Sequence, residues 1–246
     1  MKGVILAGGT GTRLWPLTKI LNKHLIPVGK YPMIYYAVDK MRSAGIKDIL
    51  IVTGKQSAGL FTDLLGSGKD WGVKITYKIQ EEAGGIAQAL MTAEDFVQPQ
   101  EKFIVLLGDN LFDESLVKLV NDFGKQEKGA KVFLKQVADP RRYGVPIIDE
   151  NKIIQIEEKP ADPKSSFSVT GIYMYHGSVF EVIKRIKPSA RGELEITDVN
   201  NVYASEGTLT FSIMNGWWID AGTFESLHEA NVMLKDFKSE ANGPGN

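Results

Sequence analysis

Short apolar runs of strand length alternate with segments of helical periodicity, and the first of those runs empties into a glycine-rich turn. Together these observations predict an α/β protein. It is Rossmann-like, with three α/β/α layers around a mostly parallel, mixed central sheet. The runs are 4–7, 49–52 (Ile-Leu-Ile-Val), 73–79, 103–107 (Phe-Ile-Val-Leu-Leu) and 132–137, followed by 153–157, 169–175 and 209–214. Unbroken apolar runs fit strands buried on both faces. Helical spacing falls at 33–44, 56–66, 85–95, 115–127, 178–186 and 223–238. The later half is richer in strands and reads as mixed. No Pro/Gly/Ser linker or internal repeat divides the chain, which is expected to form a single domain over 1–246 with a frayed tail at 241–246.

The first run, Val4 to Ala7, leads into Gly8-Gly9-Thr10-Gly11-Thr12-Arg13. Bare glycines let a ligand approach the backbone, and successive N–H groups there form an anion-binding concavity. A helix N-terminus after the turn would add to it, and the Arg13 guanidinium offers a planar fork for phosphate oxygens. The loop therefore predicts a polyphosphate site. It is not a dinucleotide fingerprint, because Leu14 stands where the third small residue belongs, and the Gly-Lys-Ser/Thr of a Walker loop is absent. A tight turn without ligand is the plainer alternative.

Composition narrows the classes. The chain has 246 residues, 43% hydrophobic and 24% charged, with 29 Lys+Arg against 30 Asp+Glu. A net charge of -1 gives no long-range attraction to nucleic acid or an anionic membrane. Without cysteine there are no disulfides or thiolate metal sites, and His24, His176 and His228 have no metal spacing. Val4–Ala7 is too short for a signal peptide, and no run approaches a membrane span, so the cytoplasm is the expected compartment.

In an open α/β sheet, ligands bind beyond the carboxyl ends of the strands. Gly8–Arg13 and Gly108-Asp109-Asn110 both lie at such ends and are expected to face one crevice. Asp109 suits Mg²⁺ beside a polyphosphate, because that ion takes one or two carboxylates plus phosphate oxygens. Ser115 is the better cap for the next helix. Asp220, between Ile219 and Ala221, is the second candidate; Thr223 is available for the capping role that would otherwise explain it. Lys23, Lys159 and Arg191 are candidate anion contacts, each with a plainer reading as a solvated or locally paired cation.

Leu6 through Leu14, with Pro16-Leu17-Thr18-Lys19, resembles the signature of the sugar-1-phosphate nucleotidylyltransferases. Pro32–Tyr36, Leu107–Asn110, Arg142–Val145, Glu157–Pro160, Val169–Tyr173 and Pro188–Asp198 narrow the resemblance within that family; the glycine signature marks the broad family only, and the block Arg191–Asp198 is much more specific to the thymidylyl branch. The likeness runs from residue 2 to about 235. It implies the nucleotide-diphospho-sugar transferase type of fold. It also implies transfer of a deoxythymidylyl group from dTTP to glucose 1-phosphate, giving dTDP-glucose and pyrophosphate as the opening step of dTDP-rhamnose formation.

The resemblance implies roles as well. Gly8, Gly9, Gly11, Thr12 and Arg13 would hold the triphosphate, and Lys23 would neutralise the α-phosphate and pyrophosphate. Gln80 and Gly85 would read thymine, whose imide suits an amide. Gly108 and Asn110 flank Asp109, and Asp109 and Asp220 would hold Mg²⁺. Tyr143, Gly144, Glu158, Val169 and Tyr173 would surround the glucosyl unit; Lys159 and Arg191 would grip its phosphate, and Trp218 would shape that end. Arg13, Lys23, Asp109, Lys159 and Arg191 form the implied catalytic set, and a cytoplasmic homotetramer is the implied assembly.

The chain departs from the family pattern in places. It is one residue shorter across Val28–Pro32, its loop Gln80–Gly85 lacks the usual Pro/Ser/Asp residues, and Pro146 falls in a strand-like stretch. Longer members carry further C-terminal helices associated with a regulatory nucleotide site, so weaker or altered feedback is expected here. Three alternatives stay open: a UTP-preferring relative, a non-catalytic nucleotide-sugar sensor, and a dinucleotide oxidoreductase, the last disfavoured by Leu14.

Overall fold

Alternate residues of the first strand, β1 (Lys2–Ala7), enter different cores: Val4 and Leu6 face one layer of helices, Ile5 and Ala7 the other. This alternation requires a sheet covered on both sides. The computed structural model describes residues 1–235 and shows that sheet. After β1 come two short strands, β2 (Pro27–Val28) and β3 (Tyr31–Pro32), then α1 (Met33–Ser43), β4 (Asp48–Gly54), α2 (Ala58–Leu65), β5 (Lys74–Gln80) and α3 (Ile86–Met91). The middle of the chain forms β6 (Lys102–Leu107), β7 (Asn110–Phe112), α4 (Leu116–Lys125), β8 (Ala130–Gln136), β9 (Gly144–Asp149) and β10 (Lys152–Glu158). The rest forms β11 (Phe167–His176), α5 (Val179–Ile183), α6 (Ile196–Ser205), β12 (Leu209–Ile213), β13 (Trp218–Asp220) and α7 (Phe224–Met233).

The seven-stranded sheet has the order β12-β8-β11-β6-β1-β4-β5. Only β11 runs against its neighbours, pairing antiparallel with both β6 and β8. The predicted α/β/α layering and mostly parallel sheet are therefore present. One core lies under α3, α5 and α6, built on Leu90, Phe180 and Val199 with Phe103 and Tyr175 from the sheet. The opposite core lies under α1, α2 and α4, with Val38, Phe61, Phe123, Ile51 and Ile104. A third, smaller cluster sits at the carboxyl end of the sheet, where Leu14, Ile26, Val28, Leu111, Ile219 and Leu227 close together. It braces the segment after the glycine turn against β7, β13 and α7.

All seven central strands fall on or within a residue or two of the expected runs. The last helix is described as Phe224–Met233, and the remainder of the expected 223–238 segment from 236 on, like the tail at 241–246, lies outside the described residues. Four features differ from expectation. No α-helix follows the glycine turn; three short 3-10 turns (Thr12–Leu14, Leu17–Lys19, Lys23–Leu25) occupy the stretch before α1, so the anion site there has loop amides and side chains but no helix dipole. The two-stranded pairs β2–β3 and β7–β13 carry no periodic signal. Helix α6 (Ile196–Ser205) falls outside the segments of helical spacing, although the Arg191–Asp198 block has the look of a loop that opens a helix. Strand β9 forms a hairpin with β10 despite Pro146, which faces Ile156 in that two-stranded pair rather than interrupting a central ladder.

Candidate active site

At the carboxyl end of β1 the chain leaves the sheet at Gly8, and Gly9 and Gly11 adopt φ +90° and +60°, left-handed values suited to glycine. The turn is open: nothing lies within 4 Å of where a Gly9 side chain would begin, and Thr12 and Arg13 are exposed. Thr18 Oγ1 donates to Gly11 O at 2.7 Å and fixes the far side of the turn.

The neighbouring strand β6 supplies the second loop. Gly108 N still donates to Leu6 O at 2.9 Å, after which the chain turns and β7 pairs with β13 in the register Asn110↔Asp220. Ala221 N donates to Asp109 O at 2.9 Å. The crossing of β7 and β13 thus brings the two candidate carboxylates together, although they lie 111 positions apart in sequence. Thr223 caps α7 through a reciprocal pair of hydrogen bonds with Ser226, which leaves Asp220 without a capping task.

The two acids occupy opposite electrostatic states. Asp109 is buried, and burial alone would raise its pKa. The Lys23 ammonium paired with its Oδ2, together with a hydrogen bond from Asn110, outweighs that cost and holds the carboxyl below its usual range. Asp220 is pushed up by burial and then by the negative charge of Asp109; Lys23, Arg13 and Arg142 offset this only in part. Its buried Oδ1 has no hydrogen-bond partner. A Cβ on Gly222 would lie 2.7 Å from an Arg13 guanidinium nitrogen and 2.8 Å from Asp220 Oδ1, so a glycine there lets the guanidinium approach the acid. Two adjacent carboxylates, one with an orphaned buried oxygen, fit a divalent cation. Among the described residues no cluster of three or more potential ligands occurs, which matches a site completed by phosphate oxygens and water.

Asn110 is buried and braces this centre. Its Oδ1 accepts from Gly171 N and from Trp218 Nε1, both at 2.8 Å, while its Nδ2 donates to Asp109 Oδ1 at 3.1 Å. The indole of Trp218 is thereby committed to Asn110, and its ring packs edge-on against Tyr143 with centroids 5.2 Å apart. Val169 and Tyr173 bracket an irregularity in β11 beside this wall, and Gly144 opens β9 next to Glu158. Tyr173 is held neutral by burial and by the charges of Glu158, Asp109 and Asp220.

The two cations expected to meet the sugar phosphate, Lys159 and Arg191, are each paired with carboxylates. Lys159 adopts φ +47°, its N–H donates to Tyr143 O at 3.0 Å, and its ammonium lies 3.5 Å from Glu158. Arg191 donates to Glu195 Oε1 at 2.8 Å and stands 3.5 Å from Glu158. An arriving phosphate would join or displace these pairs.

On the β5 side of the glycine turn, Gln80 closes β5 with its amide beside Gly8. Gly85 has φ +104°, and a Cβ there would lie 2.5 Å from Leu194 O. Leu194 N donates to Gly84 O at 2.8 Å, and Ala87 N donates to Leu194 O at 3.1 Å. This ladder ties the Gln80–Gly85 loop to the segment carrying Arg191. Sequence reasoning missed Gln88, His24 and Gly222. Gln88 accepts from Gln80 Nε2 at 2.9 Å, and His24 is buried beside Lys23. The only sequence signal for Gly222 was its place directly after Asp220-Ala221.

A family model described as nucleotidyl transferase matches residues 2–236. The chain belongs to the nucleotidyl transferase family. It is 46% identical over 246 residues to a glucose-1-phosphate thymidylyltransferase of Neisseria meningitidis, covering 98% of this chain and 85% of that protein. It is also similar to a crystal structure of a Bacillus anthracis protein assigned as a glucose-1-phosphate thymidylyltransferase, in complex with sucrose: 54% identity, TM-score 0.96, and 100% of both chains covered. A UDP-glucose pyrophosphorylase complexed with UDP-glucose shares the fold at TM-score 0.83 and 27% identity, over 94% of this chain and 97% of that one. Nucleotidyl transferases of this kind generally use a divalent metal, in keeping with the paired carboxylates. No helix among the described residues is long and apolar enough to cross a membrane.

Proposed function

We propose that this protein transfers a thymidylyl group from dTTP to α-D-glucose 1-phosphate, forming dTDP-glucose and pyrophosphate, the opening step toward dTDP-rhamnose. The observation that carries the reading is the Lys23–Asp109–Asp220 cluster, with Asp109 buried and its two partners half-buried, beside an open glycine turn with Arg13 at its edge. An oxygen of the sugar phosphate attacks the α-phosphorus; the bond from that phosphorus to the bridging oxygen breaks, and pyrophosphate leaves with the electron pair. The attacking phosphate is already ionised near neutral pH, so no general base is required.

The chain's work is positioning and charge neutralisation. Gly8, Gly9, Gly11, Thr12 and Arg13 hold the triphosphate, and Lys23 faces the α-phosphate and the leaving group. Gln80 and Gly85 read the base. Tyr143, Gly144, Glu158, Val169 and Tyr173 enclose the glucosyl unit, with Trp218 and Asn110 shaping its floor, and Lys159 and Arg191 bring in its phosphate. Mg²⁺ held by Asp109 and Asp220 would supply charge neutralisation at the reacting phosphates. Small phosphorylated substrates of this kind fit a cytoplasmic enzyme, and a homotetramer is the assembly we expect.

The test is pyrophosphate release over a grid of dTTP, UTP and dCTP against several sugar 1-phosphates. The expected optimum is dTTP with glucose 1-phosphate. UTP should be used at a reduced rate, because one methyl group in a pocket is worth about 1–3 kcal/mol. A UTP optimum would place the chain with the UDP-glucose pyrophosphorylase reading, which the similarity in fold favours as the second choice. Binding of dTDP-glucose without pyrophosphate release from any pair would leave a sensor instead.

A further inference from the structure

We propose that Gln88, on α3, fixes the orientation of the Gln80 side-chain amide and so decides which bases the nucleotide site accepts; the inference rests on the base-reading role given to Gln80 above. A backbone N–H can only donate. Gly84 N lies 2.8 Å from one end of the Gln88 amide, so that end is the oxygen, Oε1. The same oxygen lies 2.9 Å from one end of the Gln80 amide, so that end is the donor, Nε2. The opposite end of Gln80 is therefore its carbonyl, Oε1. One invariant donor sets both amides.

The surroundings are cut to this arrangement. A Cβ on Gly8 would lie 2.5 Å from Gln80 Oε1, and a Cβ on Gly84 would lie 2.5 Å from the Gln88 amide. Gln80 is 8% exposed, so a flipped amide has no water to compensate it. The fixed carbonyl sits against the first residue of the glycine turn, at the carboxyl end of β5.

The chemistry of the bases gives the arrangement a consequence. Thymine and uracil present an N3–H donor between two carbonyl acceptors. Cytosine presents a bare N3 acceptor beside an amino donor. An amide free to flip could serve either face. Held by Gln88, Gln80 offers its carbonyl to N3–H and keeps its second Nε2–H for a base carbonyl. Against cytosine the same carbonyl meets another acceptor, and a site built for a hydrogen bond strongly rejects a ligand that leaves it unpaired. Gln88 is thus a positioning residue that selects the imide bases as a class without separating thymine from uracil.

The experiment compares kcat/KM for dTTP, dUTP and dCTP in the wild type, Gln88→Met, Gln88→Glu and Gln80→Leu. Gln88→Met removes the acceptor while keeping a good helix former; Gln88→Leu replaces it if Met does not fold. The dTTP:dCTP ratio should fall at least about 10-fold, mainly through KM, with the dTTP:dUTP ratio unchanged. Gln88→Glu keeps an oxygen facing Gly84 N and Gln80 Nε2 and should restore the ratio. If Gln80→Leu collapses the ratio while Gln88→Met leaves it at the wild-type value, the clamp is wrong and the base reading stands. If Gln80→Leu itself leaves the ratio unchanged, the base-reading role fails and the clamp falls with it.

Discussion

Replacing Asp220 by asparagine will make the protein more stable and nearly inactive. The half-buried carboxylate lies beside Asp109, its buried Oδ1 has no partner, and its pKa is raised first by desolvation and then by the neighbouring charge. A group whose folded pKa lies above its unfolded value costs stability once pH exceeds the unfolded value, so at neutral pH an ionised Asp220 opposes folding of the metal-free protein. The amide removes that charge at constant shape. We expect a gain of up to about 2 kcal/mol in metal-free buffer, the scale of a single stabilising substitution. Turnover should fall at least about 10³-fold, because the loss falls on charges that matter most in the transition state. Urea unfolding with chelator present, Mn²⁺ titration calorimetry and pyrophosphate release test the three parts separately. A variant that is less stable than the wild type, or that binds Mn²⁺ normally, would remove the reading of Asp220 as a metal ligand.

Asp109→Asn gives the contrast. Turnover should be lost to a similar degree, but stability should fall. Asp109 is the partner of Lys23 and is held ionised by it, so the substitution strands an ammonium whose side chain is 17% exposed. Breaking one side of a buried pair costs about 3–5 kcal/mol, and the partial exposure of Lys23 places the expected loss at or below the lower end of that range. Equal effects on catalysis with opposite effects on stability would distinguish a carboxylate that the fold uses from one that it tolerates.

The legible parts of this chain were those where one segment carries its own signal. Central strands β1, β4 and β6 are buried on both faces, so 4–7, 49–52 and 103–107 read as unbroken apolar runs. Asp109 and Asp220 were legible because a carboxylate among apolar residues needs a reason. The three-residue strands β7 and β13 were not, since Asn110–Phe112 and Trp218–Asp220 are too short for any period to show. The β9–β10 hairpin was half hidden: Glu150 and Asn151 turn it with φ 41° and 68°, without the Asn-Gly or Asp-Gly pair that marks such turns. Gln88 looked like an ordinary polar position on a helix. Its task exists only because the loop of Gly84 folds back over it, a relation no local pattern encodes. Arg191 was recognised as either a phosphate grip or a partner of a nearby glutamate, and the 2.8 Å bond to Glu195 realises the second without excluding the first.

A buried neutral histidine makes the stability of this protein fall as the solution turns mildly acidic. His24 is 1% exposed. Asn22 Nδ2 donates to Ala7 O at 3.1 Å, so Asn22 Oδ1 is free to accept, and it lies 2.9 Å from His24 N and 2.7 Å from His24 Nδ1. Nδ1 therefore carries the proton of a neutral ring. Burial, then the charge of Lys23, lowers its pKa to about 3, against the opposing influence of Asp109. The unfolded chain takes up the proton near pH ~6.5 and the folded one does not, so the unfolded state binds more protons throughout that window. Stability contributed by the neutral ring is complete above about pH 6.5 and is lost at about 1.4 kcal/mol per unit as pH falls toward the folded value. His24→Gln keeps a side chain able to donate to Asn22 and cannot titrate. Between pH 7.5 and 5.5 the wild type should lose about 1.4 kcal/mol more than this variant, and by pH 4.5 about 2.7 kcal/mol more. The difference cancels the other acids and bases that the two proteins share. Urea unfolding at the three pH values, with chelator present, measures it; parallel pH profiles for the two proteins would mean that His24 takes a proton in the folded state and that its burial does not govern the acid response.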